Sequence, residues 1–338
     1  MKIALYEYVT GGGYPAAGGT PPSASLLAEG CAMALALASD FARLPTVTVW
    51  TTRDACLSEF HPPGCNVTVI DNSGEEEKWL ARCAAADWTV LIAPETGGAL
   101  THRCQIVENA GGRLLSPSSA VVEIAANKQA TAELLAAIGV RVPRGMLVRQ
   151  RSDLKQWDGP LPAVIKPADG CGSQDIELLR SASDLQHIKI KGPLRVEEFV
   201  PGLAASCAVL CGPNGAWTLP PCEQRLSEGG KFTYLGGRLP LAADLARRAS
   251  GLAAAAVAAL LQPRGYLGVD MVLGDAADGS GDYVIEINPR LTTSYVGLRA
   301  LATSNLAAAM LAVAEGCAPD LRFAAGPIEF RADGTIRS

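Results

Sequence analysis

The sequence predicts a mixed α/β and α+β chain of more than one lobe. Three observations carry this: strand and helix patterns that alternate through roughly residues 1–115, a well-capped helix from Asn127, and a strand–loop–strand near the C-terminus. At 338 residues the chain exceeds one small domain and suits two or three lobes.

Lys2 to Tyr8 reads as a short apolar strand, followed by Thr10-Gly11-Gly12-Gly13 and a Gly/Pro-rich loop ending near Pro22. Ser23 to Leu37 reads as a helix opened by proline and serine. β-rich runs follow at Thr46–Thr51 and Val67–Ile70, then a helix-like acidic segment from Glu75 and a buried strand at Thr89–Ala93. Such alternation predicts an open parallel sheet, with ligands beyond the carboxyl ends of its strands. Glu7, the triple glycine and Pro94-Glu95-Thr96-Gly97-Gly98 fall along that edge. The triple glycine lacks the GxGxxG spacing and the following acidic residue of a dinucleotide site. It reads either as a substrate-contacting loop or as a plain connection.

Asn127 to Ile138 is a helix capped by Asn127, striped by Leu134, Leu135 and Ile138, and ended by Gly139. Lys128 sits in its first turn, where the dipole disfavours a cation, so it is either a solvated surface residue or aimed at an anion. Ala163-Val164-Ile165-Lys166-Pro167 reads as a buried strand, followed by Ala168-Asp169-Gly170-Cys171-Gly172-Ser173. A small glycine loop lets backbone N–H groups approach phosphate while the lysine adds positive charge. The bland alternative is a snorkelling lysine before an ordinary turn. Residues 195–203 form another strand stopped by Pro201-Gly202, and Leu245 to Leu261 is an amphipathic helix with apolar positions 245, 249, 252, 256 and 260.

Gly268 to Arg290 reads as two strands joined by a Gly/Asp-rich loop. Asp270 lies on the first strand. On the second, Tyr283, Ile285 and Ile287 point one way, and Val284, Glu286 and Asn288 the other. Two carboxylates and an amide oxygen are hard ligands that suit Mg²⁺. Alone, this pattern is equally an ordinary hairpin with a polar face.

Composition narrows the function classes. The 49% hydrophobic fraction supports a buried core rather than disorder. A net charge of −5 and a pI near 5.4 give no electrostatic case for nucleic acid or an anionic membrane. MKIALYEY runs straight into a polar segment, so no secretory signal is expected, and the run Leu252–Leu261 is too short to span a bilayer. The ten cysteines contain no CxxC pair and only three histidines exist, which argues against zinc and for free buried thiols in a reducing cytoplasm.

Read in order, these pieces resemble the ATP-grasp superfamily over nearly the whole chain. The parts are an α/β pre-domain, a helix bearing Lys128 and ending in AIGVRVP, then VIKPADGCGS, VEEFVPG and GYLGVDMVL…DYVIEINPR. The last string is the most specific. The resemblance implies a pre-ATP-grasp domain at 1–118, a central ATP-binding lid subdomain with its helix linker at 119–200, and a C-terminal lobe carrying the metal site at 201–338. It implies that Lys128 and Lys166 contact the α- and β-phosphates of ATP, and that Gly170, Gly172 and Ser173 belong to the loop closing over them. Glu197, Glu198, Phe199 and Val200 would form the adenine hinge, with Glu197 or Glu198 facing the amino group. Asp270, Glu286 and Asn288 would hold two Mg²⁺ (or Mn²⁺), and Arg290 would approach the transferred phosphoryl or the acyl phosphate.

Two departures from the family pattern matter. Many members carry a glutamate after the hinge glycine for the ribose; Leu203-Ala204-Ala205-Ser206 offers none. Some ligases of the D-alanine–D-alanine type have arginine two residues before the first metal acid, where this chain has Gly268. Arg225 or Lys231 would supply that charge, or both are solvated surface residues.

The resemblance implies an ATP-dependent carboxylate–amine ligase acting on small molecules in the cytoplasm, with a homodimer as the commonest default. LYEYVTGGG, APETGG and EINPRLTTSYVGL look most like the subgroup containing tyramine–L-glutamate ligase of methanofuran-type cofactor synthesis. Glutamate and an aryl amine would then be joined. Glu7 and Glu95 would bind the amine's charge or serve as structural carboxylates, and Tyr295 would line the acceptor pocket or pack in the core. The alternatives are another amino-acid or peptide ligase, a non-catalytic nucleotide-binding protein, and a small-molecule kinase.

Overall fold

The computed structural model describes residues 1–16, 22–169 and 175–337. The expected phosphate-loop residues Gly170, Gly172 and Ser173 lie outside the described residues.

The N-terminal region is built on β1 (Lys2–Glu7), β2 (Thr48–Asp54), β3 (Cys65–Ile70) and β4 (Trp88–Ile92), a parallel sheet in the order β3-β2-β1-β4. β1 leads into a short turn of helix, α1 (Gly13–Ala16), and then into α2 (Ala24–Ala42), capped by Ser23, whose hydroxyl accepts from the Leu26 N–H at 3.3 Å. α2 runs past the expected end at Leu37 because Ala38 and Phe41, both fully buried, extend its apolar face by a turn. It is long and apolar enough to cross a membrane, a property the run at 252–261 does not reveal. Here it is a core helix, with Met33, Leu37 and Phe41 packed among Ile3, Leu5 and Val49 of the sheet. α3 (Ser73–Arg82) and α4 (Ala99–Asn109) cover the opposite face, where Leu80, Leu100, Cys104 and Val107 meet Ala4, Tyr6 and Leu91.

α5 (Ser119–Ala126) and α6 (Lys128–Ala137) lead to a second sheet. Asn127 caps α6 as expected, its side-chain oxygen accepting from the N–H groups of Gln129 and Ala130, each at 3.1 Å. The second sheet contains β5 (Gly145–Val148), then, after the short α7 (Arg151–Leu154), β6 (Ala163–Pro167), β7 (Glu177–Leu179) and β8 (Leu194–Glu198), antiparallel in the order β5-β8-β6-β7. Val148, Leu154, Ile165 and Val196 form its own small core.

The remainder builds an eight-stranded sheet from β9 (Leu203–Gly212), β10 (Gly215–Thr218), β11 (Cys222–Leu226), β12 (Tyr234–Leu239), β13 (Gly265–Leu273), β14 (Tyr283–Asn288), β15 (Ile328–Arg331) and β16 (Ile336–Arg337). Its order is β14-β13-β9-β11-β12-β15-β16, with β10 paired to β9. α8 (Ala243–Ala258) lays Ala249, Ala253, Ala256 and Val257 against Val209, Leu267, Val269 and Val284. α9 (Ser294–Leu301) and α10 (Leu306–Ala314) join this sheet to α2.

Tyr295 belongs to that junction and not to a pocket. It is fully buried, and its hydroxyl donates to Asp40 Oδ2 at 2.8 Å while Arg299 Nε donates to Asp40 Oδ1 at 2.7 Å. A tyrosine on an apolar helix face whose hydroxyl finds a buried carboxylate is a packing residue.

Candidate active site

A cavity of about 900 Å³ is lined by α2, the second sheet and the eight-stranded sheet. The hairpin residues Asp270, Glu286, Asn288 and Arg290 meet Lys166 and the expected hinge residues Glu197, Glu198, Phe199 and Val200 along its wall.

The register pairs Asp270 with Glu286 and Gly268 with Asn288, as antiparallel strands require for side chains on one face. The strict alternation expected for β14 breaks, however. The pairing slips between Asp270 and Met271, whose partner is Val284, so Ile285 is an extra residue. This is a β-bulge. It sends Val284 into the core beside Ile287 and turns Ile285 into the cavity wall next to Glu286 and Asn288. The expected face of Val284, Glu286 and Asn288 is corrected accordingly. The bulge lets a strand with two core anchors present consecutive residues to the cavity.

Asp270 is held by two amides: Gln224 Nε2 donates to Oδ1 and Asn288 Nδ2 to Oδ2, each at 3.0 Å. Burial and the neighbouring Glu286 carboxylate raise its pKa well above the usual range. Burial also pushes Glu286 up, but the ammonium groups of Lys128 and Lys166 outweigh it and hold that carboxyl below its ordinary value. Two facing carboxylates, one carrying an unfavourable charge, with an amide beside them, form a donor set that a hard divalent cation fits.

Neither lysine is a surface residue. Lys128 is buried at the start of α6 and its Nζ lies 3.2 Å from Glu286 Oε2. The cation placed against the helix dipole thus points at the carboxylate floor. Lys166 is 2% exposed and pairs with Glu197, whose other oxygen takes Arg195 Nε at 2.8 Å. Glu197 is therefore engaged inside the protein, whereas Glu198 reaches only the exposed Arg144, at 3.3 Å. The hinge rim is aromatic, with Phe199 and Phe232 stacked at 6.3 Å.

Arg290 lies beyond the metal-type residues and pairs with Glu95 through Nε at 3.0 Å and Nη2 at 3.3 Å. Glu95, from the edge of the first sheet, thus anchors a cavity cation. Glu7 is also turned inward. It accepts from the N–H of Val9 at 3.1 Å and from the N–H and hydroxyl of Thr10, both at 2.7 Å, and burial raises its pKa. It does not line the cavity, and the expected amine contact is corrected to a structural role. Glu7→Ala strands those donors and is expected to cost about 1–3 kcal/mol in a denaturant melt.

Of the two candidate cations on the next segment, Lys231 lines the cavity and Arg225 does not. Arg225 is exposed and pairs with Glu329 at 3.0 Å. Strand alternation explains the correction: on β11, Gln224 faces Asp270, so its neighbour Arg225 faces away. Gln224 is the cavity residue beside Asp270 that charge-based reading passed over, and period two from Cys222 was the signal for it. Gly268 also has a local reason: a Cβ there would lie 2.6 Å from Thr292 Cγ2, so an arginine has no room. Among the described residues no three His, Cys, Asp or Glu side chains cluster as a metal site, so the donor set depends on Asn288.

Comparison with known proteins fits this geometry. The ATP-grasp domain model matches residues 125–294, and the pre ATP-grasp 3 domain model matches residues 47–122. Tyramine–L-glutamate ligase of Methanocaldococcus jannaschii is 24% identical over 300 residues, covering 88% of this chain and 84% of that protein. An ATP-grasp superfamily protein from Archaeoglobus fulgidus superposes with a TM-score of 0.73 at 23% identity, covering 98% of this chain and 92% of that one. An L-amino acid ligase from Bacillus licheniformis gives 0.66 at 17% identity, covering 92% and 73%. With Lys166 and a carboxylate–amide floor lining one cavity and the buried Lys128 paired to that floor, the chain belongs to the ATP-grasp family of ATP-dependent carboxylate–amine ligases.

Proposed function

We propose that the protein joins a carboxylate to an amine through an acyl phosphate, with glutamate and tyramine or a related aryl amine as the substrate pair. The observation that carries the chemistry is the meeting of Lys166 and Arg290 with Asp270, Glu286 and Asn288 along one cavity, with Lys128 paired to Glu286. The substrate pair is supported by the relative described above and by the opening and closing motifs of the chain.

A carboxylate is a poor electrophile; taking the γ-phosphoryl of ATP gives it a good leaving group. Lys128 and Lys166 bind the α- and β-phosphates, and the backbone of Glu197 to Val200 holds the adenine, with Glu198, whose pair with Arg144 is largely exposed, rather than the buried Glu197 approaching its amino group. Asp270, Glu286 and Asn288 would hold Mg²⁺ or Mn²⁺, which would supply positive charge to neutralise the phosphates. Arg290, oriented by Glu95, steadies the transferred phosphoryl. The amine then attacks the acyl carbon, releasing phosphate and leaving amide and ADP. The reaction needs no nucleophilic side chain.

A metal-dependent ADP-release screen across carboxylates and amines tests this. Glutamate plus tyramine is expected to release ADP and form an amide. Release only with a different pair overturns the substrate assignment; a stable phosphorylated product without amide marks a kinase instead.

A further inference from the structure

The wall contributed by α2 carries a carboxylate that no motif marks. Ser23, Ser25, Leu26 and Glu29 line the cavity there, and Glu29 is half-buried. The Thr293 hydroxyl donates to Glu29, and Thr293 follows Arg290 by three residues, so the carboxylate stands beside the reacting end of the cavity. Its backbone is fixed from behind. The next residue, Gly30, packs so closely on Glu7 that a Cβ would lie 2.9 Å from Glu7 Oε2.

The other carboxylates around the cavity are engaged. Glu197 is shared by Lys166 and Arg195, Glu198 pairs with Arg144, Glu286 with Lys128, and Glu95 with Arg290. Asp270 is held by two amides opposite Glu286. Asp175 and Glu177 are exposed. Among the described residues, no lysine, arginine or histidine forms an ion pair with Glu29. A half-buried anion on the cavity wall, oriented by one hydroxyl, lacks a cation of its own among the described residues. Leu26 and Tyr234 provide apolar surface along the same lining.

We propose that Glu29 is the recognition carboxylate for the ammonium group of the amine substrate, with Thr293 orienting it. This rests on the ligase reading above. Glu29 binds and orients the amine and forms no bond to it; Leu26 and Tyr234 favour an amine with an apolar stem.

The test is steady-state ADP release by the full chain with tyramine as the varied amine, comparing wild type with Glu29→Gln and Glu29→Asp. Glu29→Gln is expected to raise KM for the amine roughly 10–100-fold, the range for a hydrogen bond to a charged group. KM for ATP and for the carboxylate should change less than about twofold, while Glu29→Asp recovers part of the loss. Thr293→Val, which keeps the side-chain shape, should raise the same KM by a smaller factor, and it serves as the probe if Glu29→Gln folds poorly. An unchanged amine KM, or a rise confined to the carboxylate KM, overturns the assignment while the ligase reading stands. A wild-type chain that releases no ADP with any pair overturns the ligase reading, and this proposal with it.

Discussion

Glu286→Gln is expected to lower kcat by roughly 10³-fold with the fold intact, the scale on which one preorganised charge at a reacting centre is felt. Glutamine keeps the volume and one oxygen toward Lys128 but removes a full negative charge from the floor shared with Asp270. Two opposed effects on stability follow. Lys128 loses its ion-pair partner, while Asp270, whose carboxyl is raised partly by Glu286, is relieved of a like charge. The net cost should therefore stay within about 1–3 kcal/mol. The measurements are kcat, the Mg²⁺ concentration for half-maximal rate, and a thermal melt. A variant that keeps more than a tenth of wild-type turnover would show that Glu286 is not a metal ligand.

What the sequence disclosed about this site followed from local order. Asn127 before a periodic stripe, Lys166 within an apolar run and the acid–hairpin–acid string each carry their meaning within a few residues, and the described structure brings Lys166 and the hairpin acids to one cavity. What stayed hidden depends on partners distant along the chain or on irregular backbone. Whether Lys128 and Lys166 were surface or buried turned on Glu286 and Glu197, which no helix or strand period connects to them. Glu95 gains its role from Arg290, and Glu29 from Thr293, across separations of 195 and 264 residues. The bulge at Ile285 defeated period-two reading because one extra residue reverses every later side chain. Glu7 and Tyr295 misled for a shared reason: each is polar and near the cavity in sequence order, yet each is satisfied inside, by Thr10 and by Asp40.

Glu197→Ala should produce the largest loss of stability among the cavity residues, about 3–5 kcal/mol, because it leaves Lys166 and Arg195 buried without their shared anion. Arg195 keeps its contacts to Gln129 and to the Pro143 carbonyl, so Lys166 bears most of the damage. Glu198→Ala is the contrast one residue away: its pair with Arg144 is substantially exposed, at 29% and 55% of the side chains, and losing it should cost less than about 1 kcal/mol. Urea melts of both variants separate the two cases, and equal losses would show that burial does not govern the hinge carboxylates. Adding Lys166→Met to Glu197→Ala then asks why the buried pair exists at all. Removing both partners of a buried ion pair is often neutral, so the double variant should regain part of the lost stability. Turnover should stay abolished, because the pair's purpose under the ligase reading is to hold an ammonium group where phosphate will lie, and methionine offers no charge there. Recovery of both stability and activity would mean that Lys166 serves the fold of the second sheet rather than the nucleotide.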